Sequence, residues 1–196
     1  VFADPARVNR IRHAGPHFQI DAVHLTEPSP QRTPLLFQAG SSARGKQFAG
    51  KHAECVYLSG PSKQVIAPTV AATRREAVRA GRQAQDILFF AMATIIVGRT
   101  EQEAREKLRD YQRYASSEAA LVVFSGWTGI DFSRLDPDEP IRHLQIEDGI
   151  RSALENFTIS DPGRVWTVRE LAEHNAIGGR GPVFVGTPTQ VADEME

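Results

Sequence analysis

The residues with the clearest potential for chemistry are Gly40, Ser41 and Ser42, which follow the short apolar run of residues 35–39. A Gly-Ser-Ser turn at the start of a helix presents backbone N–H groups and two hydroxyls where the helix dipole favours negative charge, so it can bind a phosphate. It can equally be an ordinary helix cap, with one serine accepting a backbone N–H and Gly40 permitting a tight turn. The turn matches neither G-x-x-x-x-G-K-[ST] nor G-x-G-x-x-G, so its local sequence leaves both interpretations open.

Other side chains that could do chemistry give weaker signals. His13 and His17 have the i, i+4 spacing of helical metal ligands, but the Gly-Pro pair between them opposes a helix, so we predict no metal site. Cys55 lies in an apolar run, which favours a small buried side chain over a reactive thiolate. Ser125 lacks the G-x-S-x-G pattern of a nucleophile elbow, and the acidic stretch 135–140 is interpreted as a proline-bounded turn. The sequence therefore leaves the catalytic residues unassigned.

Composition excludes several classes of protein. The chain has 196 residues, 41% hydrophobic and 24% charged, with a formal net charge of -1, which is typical of a globular protein and does not indicate a nucleic-acid binder. Cys55 is the single cysteine, so no intramolecular disulfide can form and a cytoplasmic location is expected. No apolar stretch is long enough for a membrane span, so we predict no membrane association.

Three short segments predict a compact β-α-β unit. The run 35–39 is interpreted as a buried strand that ends at Gly40, and apolar residues recur at helical spacing from Ser42 to Ala53. The segment Glu54 to Leu58 is a second strand candidate, closed by Ser-Gly-Pro. A strand, a helix and a strand in this order predict a parallel pair of strands.

Alternation continues beyond this unit. Residues 70–85 predict a helix with a polar face, and the nearly continuous apolar run 87–98 predicts one strand covered on both faces, the deepest element of the core. Thr100 and Glu103 predict a capping box at the start of the next helix, with Glu103 and Lys107 spaced for an ion pair. This alternation is typical of an α/β protein with a parallel sheet, either doubly wound or a barrel.

Residues 116–166 interrupt the pattern with glycines, prolines and short apolar pieces, and we interpret them as an insertion or lid. Thr167 with Glu170, and Thr187 with Gln190, then predict two further capped helices. The second of these has a strong start close to residue 196, which leads us to expect an interrupted domain, that is, a fragment or the ordered part of a longer chain.

Several quoted stretches together resemble one enzyme family. These are LLFQAGSSARGKQFAGKHAECVYL, FFAMATIIVGRTEQEAREKLRDYQRY, SGWTGIDFS and the final GGRGP with VGTPTQVADEME. Their order and separation resemble the flavin-dependent monooxygenases typified by nitrilotriacetate monooxygenase component A, the pristinamycin synthase subunit and dibenzothiophene sulfone monooxygenase. These enzymes belong to the bacterial luciferase-like superfamily, and the resemblance spans nearly the whole chain.

The resemblance implies a fold and a domain organisation. It implies an α/β fold that is part of a TIM-type (β/α)8 barrel, with residues 1–196 forming an incomplete single barrel domain of later strands and helices. Residues 116–166 would then be an insertion or lid within that domain. Because flavin in this family lies at the carboxyl ends of the strands, the resemblance implies that FMN contacts a set of residues there. These cofactor-binding residues would be Gln38, Ala39, Gly40, Ser41, Ser42 and Arg180.

The resemblance also implies an activity. The protein would be a monooxygenase that uses reduced FMN and O₂ on a small organic substrate, with reduced FMN supplied by a separate NAD(P)H:flavin oxidoreductase. Two alternatives remain open: a non-catalytic or degenerate flavin-binding barrel fragment, and a deazaflavin-dependent oxidoreductase. Because an incomplete barrel exposes apolar strands, we expect residues 1–196 alone to be inactive and to associate, as a homo-oligomer or through the open barrel.

Overall fold

A computed structural model describes residues 4–24, 26–147 and 149–196 of the chain. The chain divides into two units, Val1–Leu35 and Leu36–Glu196. Each unit has its own secondary structure and is described separately below. Among the described residues, no helix combines the length and the hydropathy needed to span a bilayer.

The first unit contains a single turn of 3-10 helix, Pro5–Arg7, and an antiparallel hairpin of β1 (Arg10–Ala14) and β2 (Gln19–Val23). His13 lies in β1 and pairs with Ile20, which confirms that the stretch around the two histidines is not helical. All ten strand residues are exposed.

The second unit is a mixed α/β structure with two parallel sheets, one of three strands in the order β3-β4-β5 and one pairing β6 with β7. The strands described do not close a barrel. The strands are β3 (Phe37–Ala39), β4 (Cys55–Leu58), β5 (Leu88–Ala91), β6 (Thr94–Val97) and β7 (Val183–Gly186). The helices are α1 (Ala43–His52), α2 (Lys63–Arg79), α3 (Glu101–Tyr114), α4 (Ser117–Thr128), α5 (Arg151–Glu155), α6 (Val168–Gly178) and α7 (Pro188–Met195).

The predicted β-α-β unit is confirmed, because β3, α1 and β4 follow one another and the two strands are parallel. Helices α1 and α2 pack together closely at Gly50. A Cβ added at Gly50 would lie 2.6 Å from the backbone carbon of Glu76, so only glycine fits this approach without a shift. Ala49 and Ala77, both fully buried, complete the contact between the helices and the sheet.

Helix α2 begins earlier than the predicted 70–85 and ends earlier too, at Arg79. The difference arises at Ser62, whose hydroxyl accepts a hydrogen bond from the Val65 N–H and so starts the helix after β4. Pro68 is accommodated inside the helix, although proline cannot donate a backbone hydrogen bond there.

The prediction of one continuous, deeply buried strand over residues 87–98 is wrong. The run forms two strands, because β5 pairs with β4 whereas β6 pairs with β7, and Met92 and Ala93 separate them. Side chains alternate across a strand, so only one face of each lies under the helices. Ile87 and Ile96 are buried, whereas Leu88 is 60% exposed.

The larger core lies instead within residues 124–171. Phe157 packs edge-on against Trp166 with ring centroids 5.0 Å apart, and against Phe124 at 6.0 Å. The segment 116–166, predicted as an insertion or lid, thus contains α4, α5 and two 3-10 turns around an aromatic centre. The buried residues of this cluster are Phe124, Phe132, Ile141, Ala153, Leu154, Phe157, Trp166, Val168 and Leu171.

Helix starts follow the capping predictions with one difference. Thr167 with Glu170, and Thr187 with Gln190, form complete capping boxes. At α3, Thr100 accepts the Glu103 N–H, but the Glu103 carboxylate accepts from the Arg99 N–H at 2.8 Å, so the predicted box is only half formed. The predicted pair of Glu103 with Lys107 is present at 3.0 Å.

Candidate functional site

The carboxyl ends of β3, β4 and β5 meet at one edge of the three-stranded sheet. Gly40, Ser59 and Met92 directly follow these strands, and we call the edge that they mark the carboxyl edge. The register is continuous across it, since Ala39 pairs with Tyr57 and Tyr57 pairs with Phe90. In parallel α/β folds, loops at this edge form the ligand sites, so the Gly-Ser-Ser turn lies where such a site is expected.

Close packing shapes the turn between β3 and α1. A Cβ added at Gly45 would lie 2.8 Å from the Gly40 carbonyl oxygen, and one added at Gly40 would lie 2.7 Å from the Gln38 amide nitrogen. Gly45 therefore lets the first turn of α1 sit directly against the chain that leaves β3, whereas a side chain at Gly40 would need only the end of the Gln38 side chain to move. This leaves the backbone of residues 40–42 without a bulky side chain beside it.

Ser42 is the N-cap of α1, and its hydroxyl oxygen accepts from the Gly45 N–H at 3.0 Å. Capping leaves the N–H groups of Ala43 and Arg44 free of intrahelical acceptors, as in every helix start. Among residues 43–46, all described, none is acidic, while Arg44 and Lys46 bring positive charge. The turn is thus both an ordinary cap and a place where an anion would find donors and no repulsion.

Gln38 and Ala39 lie on opposite faces of β3. Gln38 is in register with Val56, which packs under the helices, so Gln38 shares the helix-covered face. Its amide nitrogen approaches the Gly40 carbonyl oxygen at 3.5 Å, and its buried amide oxygen has no hydrogen-bond donor among the described residues. Ala39 is exposed on the other face, which is the interior face in a barrel.

A second serine-capped turn at the same edge was missed by the sequence reasoning. Ser59 and Gly60 follow β4, and Ser62 caps α2 two residues later, just as Ser42 caps α1. The signal was present, because in both places an apolar run is followed within four residues by a glycine and, after it, the serine that caps the helix. The two adjacent turns both direct the start of a helix toward the carboxyl edge.

Arg180 lies against Trp127, with its guanidinium carbon 4.7 Å from the centre of the ring. Burial lowers the pKa of this guanidinium, and its Nε has no hydrogen-bond partner among the described residues. The next residue, Gly181, approaches the backbone of Met92, so this loop passes beside the end of β5. The contacts described for Arg180 are not with residues 38–42.

His174 lies in the aromatic core between Phe157 and Trp166, with ring centroids 5.6 Å and 5.3 Å away. Burial lowers the pKa of the imidazole, opposed by the nearby Gly181 backbone and reinforced by the positive charge of Arg164. In the part of the chain that the structure describes, no three His, Cys, Asp or Glu side chains are grouped to hold a metal. Cys55 is a buried free thiol, as predicted.

The family of the chain follows from comparison with known proteins. The luciferase-like monooxygenase family matches residues 5–196, and the chain belongs to this family. This confirms the resemblance drawn from the QAGSS, SGWTGIDFS and GGRGP stretches. It also confirms the fold class, since the described strands and helices form part of a luciferase-like α/β structure.

Individual relatives agree with this assignment. The chain is 41% identical to the dimethyl-sulfide monooxygenase of Hyphomicrobium sulfonivorans over 196 residues, which is 100% of this chain and 41% of the relative. It is 37% identical to the long-chain alkane monooxygenase of Geobacillus thermodenitrificans (strain NG80-2), covering all of this chain and 40% of that one. A riboflavin lyase solved with modified FMN and riboflavin superposes with a TM-score of 0.78, at 39% identity, over 100% of this chain and 42% of that chain. The chain therefore spans about two-fifths of the length of these proteins.

Proposed function

We propose that this chain is the part of a flavin-dependent monooxygenase that holds the phosphate end of FMN. The observation that carries the proposal is the Gly-Ser-Ser turn at the carboxyl edge of a chain whose family match covers residues 5–196. The complete protein would use reduced FMN and O₂ to oxygenate a small organic substrate.

The residues of the turn fit a phosphate by their donor set. The N–H groups of Ala43 and Arg44 and the hydroxyl of Ser41 would donate to phosphate oxygens, and Gly40 keeps their approach open. Reduced FMN, when bound, would supply the electrons with which O₂ is activated. The role of this chain is to fix the phosphate and so orient the cofactor. Gln38 would support the turn from behind, and Arg180 remains a proposed contributor from the loop beside Met92.

The substrate is proposed to be an organic compound of low polarity. Relatives named for dimethyl sulfide and for long-chain alkanes support this, since both compounds lack strong hydrogen-bonding groups. The sheet face opposite the helices adds support, because Phe37, Tyr57 and Phe90 form a contiguous aromatic surface on it, with ring centroids 5.2 to 5.9 Å apart. An apolar interior of this kind suits an apolar substrate better than a charged one.

A separate NAD(P)H:flavin oxidoreductase is the proposed partner, because the resemblance is to two-component enzymes. We also propose a cytoplasmic location, where NAD(P)H is available and where a buried free thiol such as Cys55 stays reduced.

The test combines the complete protein containing this chain with a flavin reductase, NADH and FMN, and measures O₂ uptake. We expect uptake and product formation that depend on an added organic sulfide, sulfone, amine or alkane. Flavin binding without any substrate-dependent oxidation across that panel would overturn the proposed activity and favour the non-catalytic alternative.

The phosphate site is tested separately with two helical glycines. Gly45→Ala places a methyl group 2.8 Å from the Gly40 carbonyl, whereas Gly126→Ala in α4 meets nothing within 4 Å. We expect Gly45→Ala to weaken FMN binding by about tenfold, the effect of losing one or two charge-assisted hydrogen bonds. Gly126→Ala should leave the dissociation constant unchanged. Equal affinities in the two variants would argue against a phosphate at this turn.

A further inference from the structure

One hydrogen bond joins the 116–166 segment to the carboxyl edge. The side-chain nitrogen Nδ2 of Asn156 donates to the backbone carbonyl of Ser59 at 2.8 Å, across 97 residues of chain. Ser59 directly follows β4, and Asn156 directly follows α5. The bond thus connects the aromatic core of the segment with the strand end next to the Gly-Ser-Ser turn.

Burial makes this bond structurally demanding. Asn156 is only 8% exposed, although asparagine is a residue that proteins mostly keep at the surface. A buried amide without a hydrogen-bond partner costs free energy. Any placement of the segment that separates Asn156 from Ser59 would leave this amide unpaired, so the contact favours the placement of the segment against the end of β4. The neighbours of Asn156 in sequence, Leu154 and Phe157, are anchored in the aromatic core. Any movement of that core relative to β4 therefore has to break the bond.

Thr158 in the same segment provides a comparison for Asn156, because it also has a buried hydrogen bond but does not join the segment to the sheet. Thr158 is also buried, and its hydroxyl donates to the Leu154 carbonyl at 3.1 Å. That bond is local, since it spans four residues within the segment, and it ties the segment to nothing outside itself. Asn156 and Thr158 therefore carry similar buried hydrogen bonds with different consequences for position.

We propose that Asn156 is a positioning residue that holds the 116–166 segment against the carboxyl edge through the Ser59 carbonyl, and that this contact keeps water out of the proposed flavin site. The proposal rests on the proposed function for its effect on turnover, but not for its effect on structure. In this role Asn156 acts through the Ser59 carbonyl.

The consequence for turnover follows from the fate of the oxygen atoms. In a productive cycle, two electrons and two protons are used as one atom of O₂ enters the substrate and the other leaves as water. When the site is open to water, the same two electrons and two protons reduce O₂ to H₂O₂ and the substrate stays unoxidised. Loosening the contact should therefore raise the share of O₂ released as H₂O₂.

The first experiment needs no cofactor and measures amide hydrogen exchange in the complete protein. Asn156→Leu keeps a similar volume but removes the donor, and Thr158→Val removes the local bond as a matched control. We expect Asn156→Leu to speed exchange about two- to tenfold around residues 59–62 and 151–158, the range expected for one net hydrogen bond. Thr158→Val should affect only the second of these stretches. Unchanged exchange at residues 59–62 in Asn156→Leu would overturn the proposal whatever the activity proves to be.

Asn156→Asp supplies a rescue test. An ionised carboxylate cannot donate to the Ser59 carbonyl, whereas the protonated acid can. Protection at residues 59–62 should therefore return in this variant as the pH is lowered, but not in Asn156→Leu. Equal pH profiles for the two variants would contradict a role for the donated hydrogen bond.

The second experiment measures H₂O₂ formed per O₂ consumed with reductase, NADH, FMN and an active substrate. We expect this ratio to rise at least about twofold in Asn156→Leu, in proportion to the loss of one net hydrogen bond, and to stay at the wild-type value in Thr158→Val. Faster amide hydrogen exchange in Asn156→Leu with an unchanged ratio of H₂O₂ to O₂ would contradict the proposal that the contact keeps water out of the site. If the wild-type protein oxidises no substrate, that result counts against the proposed function. The positioning role of Asn156 is then tested by the amide hydrogen exchange experiment alone.

Discussion

In two regions of the second unit, the continuity of the apolar sequence pattern and the burial of the side chains disagree, and they disagree in opposite directions. The strand region, residues 36–98, has the most continuous apolar run of the chain, yet Leu88 is 60% and Phe90 is 44% exposed. The segment 116–171 is interrupted by glycines, prolines and charges, yet Trp166 and Phe157 are almost fully buried there. The irregular region therefore contains the better-packed core.

The difference shows that an apolar run in the sequence marks residues that can be buried. Whether they are buried depends on which other parts of the molecule pack against them. A short parallel strand buries one face under its helices and leaves the opposite face to the interior of the barrel. In the segment 116–171 the apolar side chains bury one another, because its helices and turns pack around Phe124, Phe157 and Trp166 from several directions. Mutations should therefore have unequal effects in the two regions.

The largest expected effect is a difference in the loss of stability when Phe157 and Phe90 are each replaced by alanine. Phe157→Ala removes a fully buried ring and should destabilise the protein by about 3–5 kcal/mol. Phe90→Ala removes a ring that is half exposed and should cost about 1 kcal/mol. Urea denaturation of both variants measures the difference. Equal losses would mean that the strand face is as well covered as the aromatic core.

The next effect concerns the contact between α1 and α2. Gly50→Ala places a methyl group 2.6 Å from the Glu76 backbone, and overpacking of this kind should cost about 1–3 kcal/mol. Gly126→Ala, which meets no neighbour, should be neutral or stabilising by up to about 1 kcal/mol through its helix propensity. Thermal unfolding checks both. A neutral Gly50→Ala would indicate that the two helices can move apart freely.

A smaller effect separates the two interpretations of the Gly-Ser-Ser turn. Ser42→Ala removes the N-cap of α1 and should cost about 1 kcal/mol of stability. Ser41→Ala removes a hydroxyl that is not the cap, so we expect wild-type stability with weaker FMN binding. Denaturation and flavin titration of both variants test this. Full FMN affinity in Ser41→Ala would remove that hydroxyl from the proposed phosphate site.

The smallest expected effect is a pH dependence from His174. Burial holds the pKa of this histidine below its ordinary value of 6.5, so the folded state binds fewer protons than the unfolded state. The stabilising contribution is therefore full above pH 6.5 and is lost as the pH falls below it toward the folded-state pKa. His174→Phe should reduce the slope of stability against pH as the pH falls below 6.5. An unchanged slope would assign the dependence to other groups.

Features governed by nearby residues could be predicted from the sequence. The Thr167 and Thr187 capping boxes and the parallel pairing of β3 with β4 all formed as predicted. A cap by Ser41 or Ser42 was one of two interpretations of the Gly-Ser-Ser turn, and Ser42 is the cap in the structure. In each case the interacting residues are close in the chain or are joined by one short helix. The family could also be identified, because its motifs occur as contiguous stretches.

Features that depend on distant partners could not be predicted. The division of residues 87–98 follows from β5 and β6 choosing different neighbouring strands, and neither neighbour is visible within the run itself. The contact of Arg180 with Trp127 joins the loop after α6 to helix α4, and no local pattern relates the two. Arg180 therefore remains a proposal for the flavin site, whereas the Gly-Ser-Ser turn has the geometry of a helix start at the carboxyl edge.

The sequence by itself determined the family of the protein, the β3-α1-β4 unit, and the capped starts of α6 and α7. These depend on local backbone preferences and on motifs that the chain carries in contiguous form. Only the tertiary structure decided which apolar residues are buried and that Asn156 meets Ser59. Burial and long-range hydrogen bonds depend on what packs opposite each residue, and that is fixed only when distant parts of the chain come together.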